Sequence, residues 1–272
     1  MTAIAIPTTI ERPKHGAFSW AVQDALTVTW RNLVAMKRTP QVLVFSTIQP
    51  IIFVLMFRYV FGGAIRIPGV THYVDYLMPG VFAQTVVFGS IQTGVGLAED
   101  LHKGLIERFQ SLPMARSAVL AGRTLADLVR NVFVVALMVG VGFIVGWRIH
   151  TSVFGLLAGI ALMLLFAHSL SWVFALVGLS AANAEAAQAA SFPILAPLVF
   201  ASTAFVSAAS MPAPLEWFAN HQPVSIVIDA VRAVTYGGQF ASTSKVLAAI
   251  AWSLAIIVVA APLAVRMYRR KV

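Results

Sequence analysis

Glu99-Asp-Leu-His-Lys-Gly-Leu-Ile-Glu-Arg-Phe-Gln-Ser-Leu-Pro-Met-Ala-Arg-Ser117 is a charged island in a chain of 272 residues of which only 11% are charged. Apolar runs flank it on both sides. Leu101, Leu105 and Leu112 recur near helical spacing, and Pro113 ends the pattern. An amphipathic, charged helix between two apolar runs presents a docking surface to a partner in water.

A soluble domain carries roughly 25% charged residues. At 11%, with a mean hydropathy of +0.85, this chain has too few water-compatible side chains to coat a globule. It reads as an integral membrane protein. Runs of about 18 or more apolar residues recur, each long enough to cross a bilayer as a helix. The alternating pattern of a membrane β-barrel is absent. There is no cysteine, which excludes a disulfide framework, a thiolate metal site and a cysteine nucleophile. The net charge of +9 does not point to nucleic acid, because the cations cluster at the ends of the apolar runs. The opening residues to Pro7 hold too short an apolar run for a cleaved signal, so the first span serves as the membrane signal.

Outward from the island, six spans are expected, at about 42–61, 78–97, 125–145, 153–179, 190–209 and 246–265. The fourth is overlong and should tilt. Residues 1–40 form a separate unit: a polar tail, then an amphipathic helix from Phe18 to Lys37 lying in the interface. Phe18, Val22, Leu26, Trp30 and Leu33 are its apolar stripe, and Arg31, Lys37 and Arg38 face phosphates. An extra cytosolic helix is the alternative. Residues 41–272 form the six-span membrane domain. Thirteen Lys and Arg fall on one side of this scheme and five on the other, which puts both termini and the 99–117 island in the cytosol. The segment 211–236 is too short and too charged to span, so it reads as an outer helical hairpin. Its Asp229 and Arg232 should pair on a wet face, with Val224, Ile228 and Val231 resting on the spans.

A phosphate-binding P-loop needs a glycine before its lysine. The five lysines follow Pro13, Met36, His102, Ser244 and Arg270, so the chain holds no such loop. There is no His-x-x-x-His, no Gly-x-Ser-x-Gly and no carboxylate pair within a span. His168 reads as a packing hydrogen bond, with a proton relay as the alternative. Arg123, Asp127 and Arg130 read as local ion pairs at the interface. Gly142/Gly146 and Gly155/Gly159 permit close helix approach. Pro193 and Pro197 should kink the fifth span.

The arrangement resembles ABC exporter permeases of the second type. Tyr76-Leu-Met-Pro-Gly80, Gly96-Leu-Ala-Glu-Asp100, Gly104-Leu-Ile-Glu-Arg108, Leu112-Pro-Met-Ala-Arg-Ser117 and Pro223-Val-Ser-Ile-Val-Ile-Asp-Ala-Val-Arg232 are similar to that family's segments. Glu107-Arg-Phe-Gln-Ser-Leu-Pro-Met114 looks closest to the daunorubicin/doxorubicin-resistance branch. The resemblance covers nearly the whole chain.

It implies a permease half in the plasma membrane that binds no cofactor itself. Two permeases, identical or paralogous, pair with two copies of a separately encoded ATPase that carries ATP and Mg. Lipid surrounds the chain, and no nucleic acid is involved. A lipid or glycan exporter is the neighbouring alternative, and a stand-alone secondary transporter the more distant one. The coupling residues expected are Glu99, Leu101, Leu105, Glu107, Arg108 and Phe109, a helix docked in a partner's groove. Gln84, Gln92, Thr203 and Phe205 are the candidate pathway residues, and Trp217, Asp229 and Arg232 mark the hairpin as a candidate lid.

Overall fold

The computed structural model describes residues 17–38, 40–65, 67–105 and 116–271. Glu107, Arg108, Phe109 and the tail before Ala17 lie outside them. All regular structure among the described residues is helical, with no strand among them. In chain order the helices are α1 (Ala17–Arg38), α2 (Pro40–Leu55), α3 (Tyr73–His102), α4 (Arg116–Val145), α5 (Val153–Ser180), α6 (Ala184–Phe200), α7 (Ala213–His221), α8 (Pro223–Thr235) and α9 (Thr243–Lys271). α2 runs on into a π-helical stretch, Met56–Phe61.

Four helices, α3, α4, α5 and α9, are long and apolar enough to cross a membrane. The apolar stretches Thr47–Phe61 and Ala184–Phe200 are shorter. At 1.5 Å per residue, the 17 residues of α6 reach about 25 Å, short of a hydrocarbon core of about 30 Å.

α3 is the axis of the bundle. Twenty-two of its thirty residues are buried, among them Asp75, Gln84 and Thr93. Polar side chains at membrane depth are tolerated where protein rather than lipid surrounds them. α9 is the opposite case. It buries only Ala249, Ser253, Ala260, Ala264 and Tyr268 and turns Leu247, Val258, Val259 and Leu263 outward. Such a surface is stable only against lipid or another apolar chain.

α3 and α5 pack most closely at Gly94 and Gly178, where a Cβ on either would overlap the other's backbone. This pair lies on two helices, so no small-xxx-small spacing within one helix announces it. The Gly155/Gly159 pair does make a close approach: α8 lies against it through Val231, Val234 and Thr235. His168 accepts a hydrogen bond at Nε2 from the Trp172 indole, 3.3 Å away in the same helix.

Two boundaries differ from expectation. The fifth apolar run forms a helix from Ala184 to Phe200 rather than over 190–209. It starts early because Asn183 caps it, its Oδ1 accepting from Ala186 N at 2.8 Å, and Glu185 sits in the first turn facing the helix dipole. It stops early because Pro193 and Pro197 remove backbone donors, and Ser202 then turns its hydroxyl to Val199 O. Residues 201–207 are left as non-helical backbone.

α1 is helical over the expected residues, but its apolar stripe faces away from the protein. Val22, Leu26 and Trp30 are exposed, while Ala25, Val28, Thr29 and Asn32 are buried. The small face meets α4 at Gly122, where Thr29 donates to Gly122 O at 3.1 Å. Arg31, expected to face phosphates, pairs instead with Asp100 at 3.2 Å.

Candidate functional site

Two polar networks sit along α3. Tyr76 belongs to one and Thr93 to the other, so about 26 Å of helix separates them.

The first network is centred on Arg232 of α8, which is 1% exposed. The expectation of a wet-face pair with Asp229 is corrected here. The pair forms, at 3.1 Å, but with Arg232 buried and Asp229 19% exposed. Arg232 Nε and Nη2 donate to Tyr76 O at 3.1 and 2.9 Å. Nη2 also reaches Thr203 O at 2.7 Å and Ala204 O at 3.2 Å. The guanidinium lies 3.4 Å from the Tyr76 ring centroid, a cation–π contact.

Two of the carbonyls it collects, those of Thr203 and Ala204, belong to the non-helical 201–207 segment. Irregular backbone survives at membrane depth only where protein satisfies it, and other side chains complete the task. Tyr73 donates to Phe205 O at 2.8 Å, Tyr76 to Val206 O at 3.1 Å, and Gln222 to Leu198 O at 2.8 Å. Asp229 is further held by Thr203 at 3.0 Å and Lys245 at 2.5 Å. Trp217, on α7, is exposed and stacks on His221.

The second network joins α1, α3 and α4. Arg31 and Arg123 both pair with Asp100, at 3.2 and 3.5 Å. Arg123 also approaches Asp127 at 3.9 Å, and Asp127 pairs with Arg130 at 3.4 Å. Thr93 donates to Asp127 at 2.6 Å, and Arg130 to Gly89 O at 2.5 Å. The i, i+4 and i, i+3 pairs within α4 are those expected from spacing. Their burial is not, because Asp127 and Arg130 are almost fully enclosed.

Asp100 begins the descent into the charged island. There Glu99 pairs with the exposed Lys103 at 2.6 Å, and the Glu99 carboxylate raises the lysine's pKa. Leu105 is half-buried. Leu101 packs against this chain's own apolar cluster of Leu97, Trp172 and Tyr268.

Between α2, α3, α4 and α6 lies a cleft of about 740 Å³. It is within the size range of drug-sized ligand sites. Gln84 and Gln92 of α3 both line it. Gln41, Gln49 and Gln188 add polar groups, and Phe88, Phe192, Pro50, Ile91 and Val134 form its apolar body. Arg130, the last member of the second network, and its neighbour Asn131 stand in the same wall.

The other two candidate pathway residues lie elsewhere. Thr203 lines a smaller pocket of about 460 Å³ beside Asp229 and Lys245. Phe205 stacks on Phe57 with ring centroids 4.4 Å apart. Among the described residues no group of three or more metal-ligating side chains occurs.

Residues 23–236 match the ABC-2 type transporter family. The chain is 36% identical, over 96% of its length and 90% of the relative's, to a daunorubicin resistance ABC transporter permease protein of Streptomyces coeruleorubidus. It is 27% identical, over 97% of its length and 94% of the relative's, to a probable doxorubicin resistance ABC transporter permease protein of Mycobacterium tuberculosis. A putative transport permease of Cyanophora paradoxa is 23% identical over 78% of this chain and 73% of that one. The chain belongs to the ABC-2 type transporter family and is the membrane permease subunit of an ABC exporter.

Proposed function

We propose that this permease moves an amphiphilic compound out of the cell through the cleft lined by Gln84 and Gln92, driven by ATP hydrolysis on a separate subunit. The observation that carries this reading is the cleft itself: drug-sized, with an apolar body and a ring of side-chain amides. The drug resistance named in two of the relatives supports a hydrophobic drug as passenger.

Two copies of an ABC ATPase would bind ATP and Mg, and this chain would bind neither. A second permease, identical or paralogous, would cover the outward apolar faces of the bundle. The chain would cross the plasma membrane six times, α2 and α6 supplying the two short crossings and the 201–207 segment completing the path beyond α6. Its termini would be cytosolic, with residues 1–40 on the inner surface and 211–236 on the outer.

The 99–117 segment is then the docking element, with Leu105 and Phe109 as anchors and Glu107 and Arg108 at the rim. Its motion has a physical route to the cleft. Asp100 is ion-paired to Arg123, Arg123 to Asp127 and Asp127 to Arg130, which stands in the cleft wall. The hairpin suits a fixed clamp better than a lid, because opening it would strip Arg232 of several carbonyls at once.

Leu105→Asp tests the docking. The variant should insert normally and should lose ATP-driven export while ATP hydrolysis by the partner persists or falls. Normal pull-down of the ATPase with normal export removes the reading. Topology is tested by single cysteines, since the native chain has none. An impermeant maleimide on intact cells should label position 216 and not position 103.

A further inference from the structure

We infer that the Phe88–Phe192 pair and the amides of Gln92 and Gln188 form a subsite for a flat ring system that carries hydroxyl or carbonyl groups on its rim. The inference rests on the export reading above and names the ligand class of its cleft. Glutamine and phenylalanine alternate at four-residue spacing in α3, as Gln84, Phe88 and Gln92. α6 repeats the order with Gln188 and Phe192, and α2 places Gln41 and Gln49 eight residues apart. Residues four apart share one helix face. The glutamines of all three helices line the cleft, as do Phe88 and Phe192.

The Phe88 and Phe192 rings lie 6.4 Å apart. Tyr73 and Tyr76 of α3 bond to the 205 and 206 carbonyls beyond α6, so the two helices run antiparallel. Gln92 and Gln188 therefore both fall one helical turn from the ring pair, on the side toward Asp100. Gln84 is enclosed, but Gln188 is exposed, Gln92 is partly so, and Phe192 is 55% exposed. Neither accessible amide makes a side-chain hydrogen bond among the described residues. Arg130 in the same wall is already held by Asp127 and Gly89 O. A hydrocarbon chain filling the cleft would cover the rings and strand the amides, and water would do the reverse. A ring with polar groups at its edge satisfies both. Its body packs on the phenylalanines, and its rim oxygens meet amides that can both donate and accept.

The test uses the full-length permease in lipid nanodiscs, with the signal of empty nanodiscs subtracted, and two fluorescent probes on one fused-ring frame. Quinizarin carries hydroxyls and carbonyls on its rim, and anthracene carries neither. Quinizarin should bind about tenfold tighter, as two hydrogen bonds of ordinary strength require. Gln92→Leu and Gln188→Leu should each weaken quinizarin about threefold or more and leave anthracene unchanged. Thermal unfolding of both variants should match the native chain, because neither amide has a partner in the protein to lose. Phe192→Ala should weaken both probes about fivefold.

Equal affinity for the two probes overturns the inference. Saturable binding of neither does the same, and is the result expected if lipid chains or a second permease fill the cleft. Leucine variants that keep the native preference overturn it too, as does a fall in their thermal stability with affinity unchanged. A transport arm separates the two readings, with the permease and its ATPase together in inverted vesicles. Doxorubicin, whose ring system bears the same rim groups, is the passenger. ATP-driven accumulation that is unchanged by Gln92→Leu and Gln188→Leu defeats this inference alone. Amide-dependent binding of quinizarin without ATP-driven accumulation of doxorubicin defeats the export reading alone.

Discussion

The two ends of α3 handle buried charge in opposite ways. Near Tyr76 a single cation, Arg232, is saturated by carbonyl oxygens from α3 and from the 201–207 segment, with Asp229 as its counter-ion. Near Thr93 five charges from three helices form a chain in which Asp100, Arg123 and Asp127 each have more than one partner. Moving Arg232 would break several short hydrogen bonds together and strand backbone carbonyls in a dry interior. Moving one helix of the second network can exchange one ion pair for another without leaving a charge alone. One end is built to hold irregular backbone still. The other shares its charges among α1, α3 and α4, each inner member holding two partners.

The comparison breaks most sharply at Arg232. Arg232→Ala strips the Thr203 and Ala204 carbonyls and the Asp229 carboxylate of their guanidinium partner and should destabilise the protein by about 3–5 kcal/mol. Thermal unfolding in detergent measures this, and a loss under about 1 kcal/mol would show that the 201–207 segment does not depend on the clamp. Arg232→Lys should recover little, because an ammonium cannot reach several carbonyls in a plane as a guanidinium fork does.

Next in size is Asp127→Asn. The amide keeps the shape and the Thr93 contact but gives up charge-assisted pairing to Arg130 and Arg123. A loss of about 3 kcal/mol is expected, because the buried Arg130 keeps Gly89 O but loses its carboxylate. Export should fall further than stability does, if this end transmits motion. Equal losses in the two measurements would reduce the network to scaffold.

How much of this was legible in the sequence depends on whether the partners are near in the chain. Arg123, Asp127 and Arg130 announce their pairing by helical spacing, and the structure forms those pairs. Arg31 and Asp100 are 69 residues apart, and no local pattern links them. The same holds for Arg232. Its charge marks 211–236 as a segment that does not span, and two short helices, α7 and α8, lie there. Its burial follows from carbonyls 28 and 29 residues upstream in α6's unwound end and 156 residues upstream in α3. Gln84 and Gln92 stand out as rare polar residues in an apolar run, and both line the cleft. Asn131 gives no such signal, since it follows Arg130 in a stretch already polar. Helix ends were legible where a cap or proline sits at the boundary. Hydropathy alone drew the fifth span through residues 201–207, where backbone satisfaction by distant side chains decides the outcome.

A smaller effect is expected from Thr93→Val, which removes the hydroxyl that ties α3 to Asp127 at 2.6 Å. Valine is similar in shape, so the change isolates one hydrogen bond to a buried carboxylate, about 1–2 kcal/mol. Its double mutant with Asp127→Asn should be less than additive, because the amide already turns the charge-assisted bond from Thr93 into a weaker neutral one. Full additivity would mean that the hydroxyl works elsewhere.

The smallest effect belongs to Arg31→Ala, and it locates the loosest joint of the second network. Arg31 is 37% exposed and Asp100 14% exposed, so solvent screens their pair. Asp100 keeps Arg123 as a second partner at 3.5 Å, so no buried charge is stranded. α1 also keeps its apolar seat on α4, where Ala25 and Val28 meet Gly122 and Thr29 donates to Gly122 O. A loss of about 0.5 kcal/mol is expected, fading as salt rises. A loss of several kcal/mol, indifferent to salt, would instead make Arg31 the pin of α1. The two ends of α3 would then resemble each other, each resting on one irreplaceable arginine.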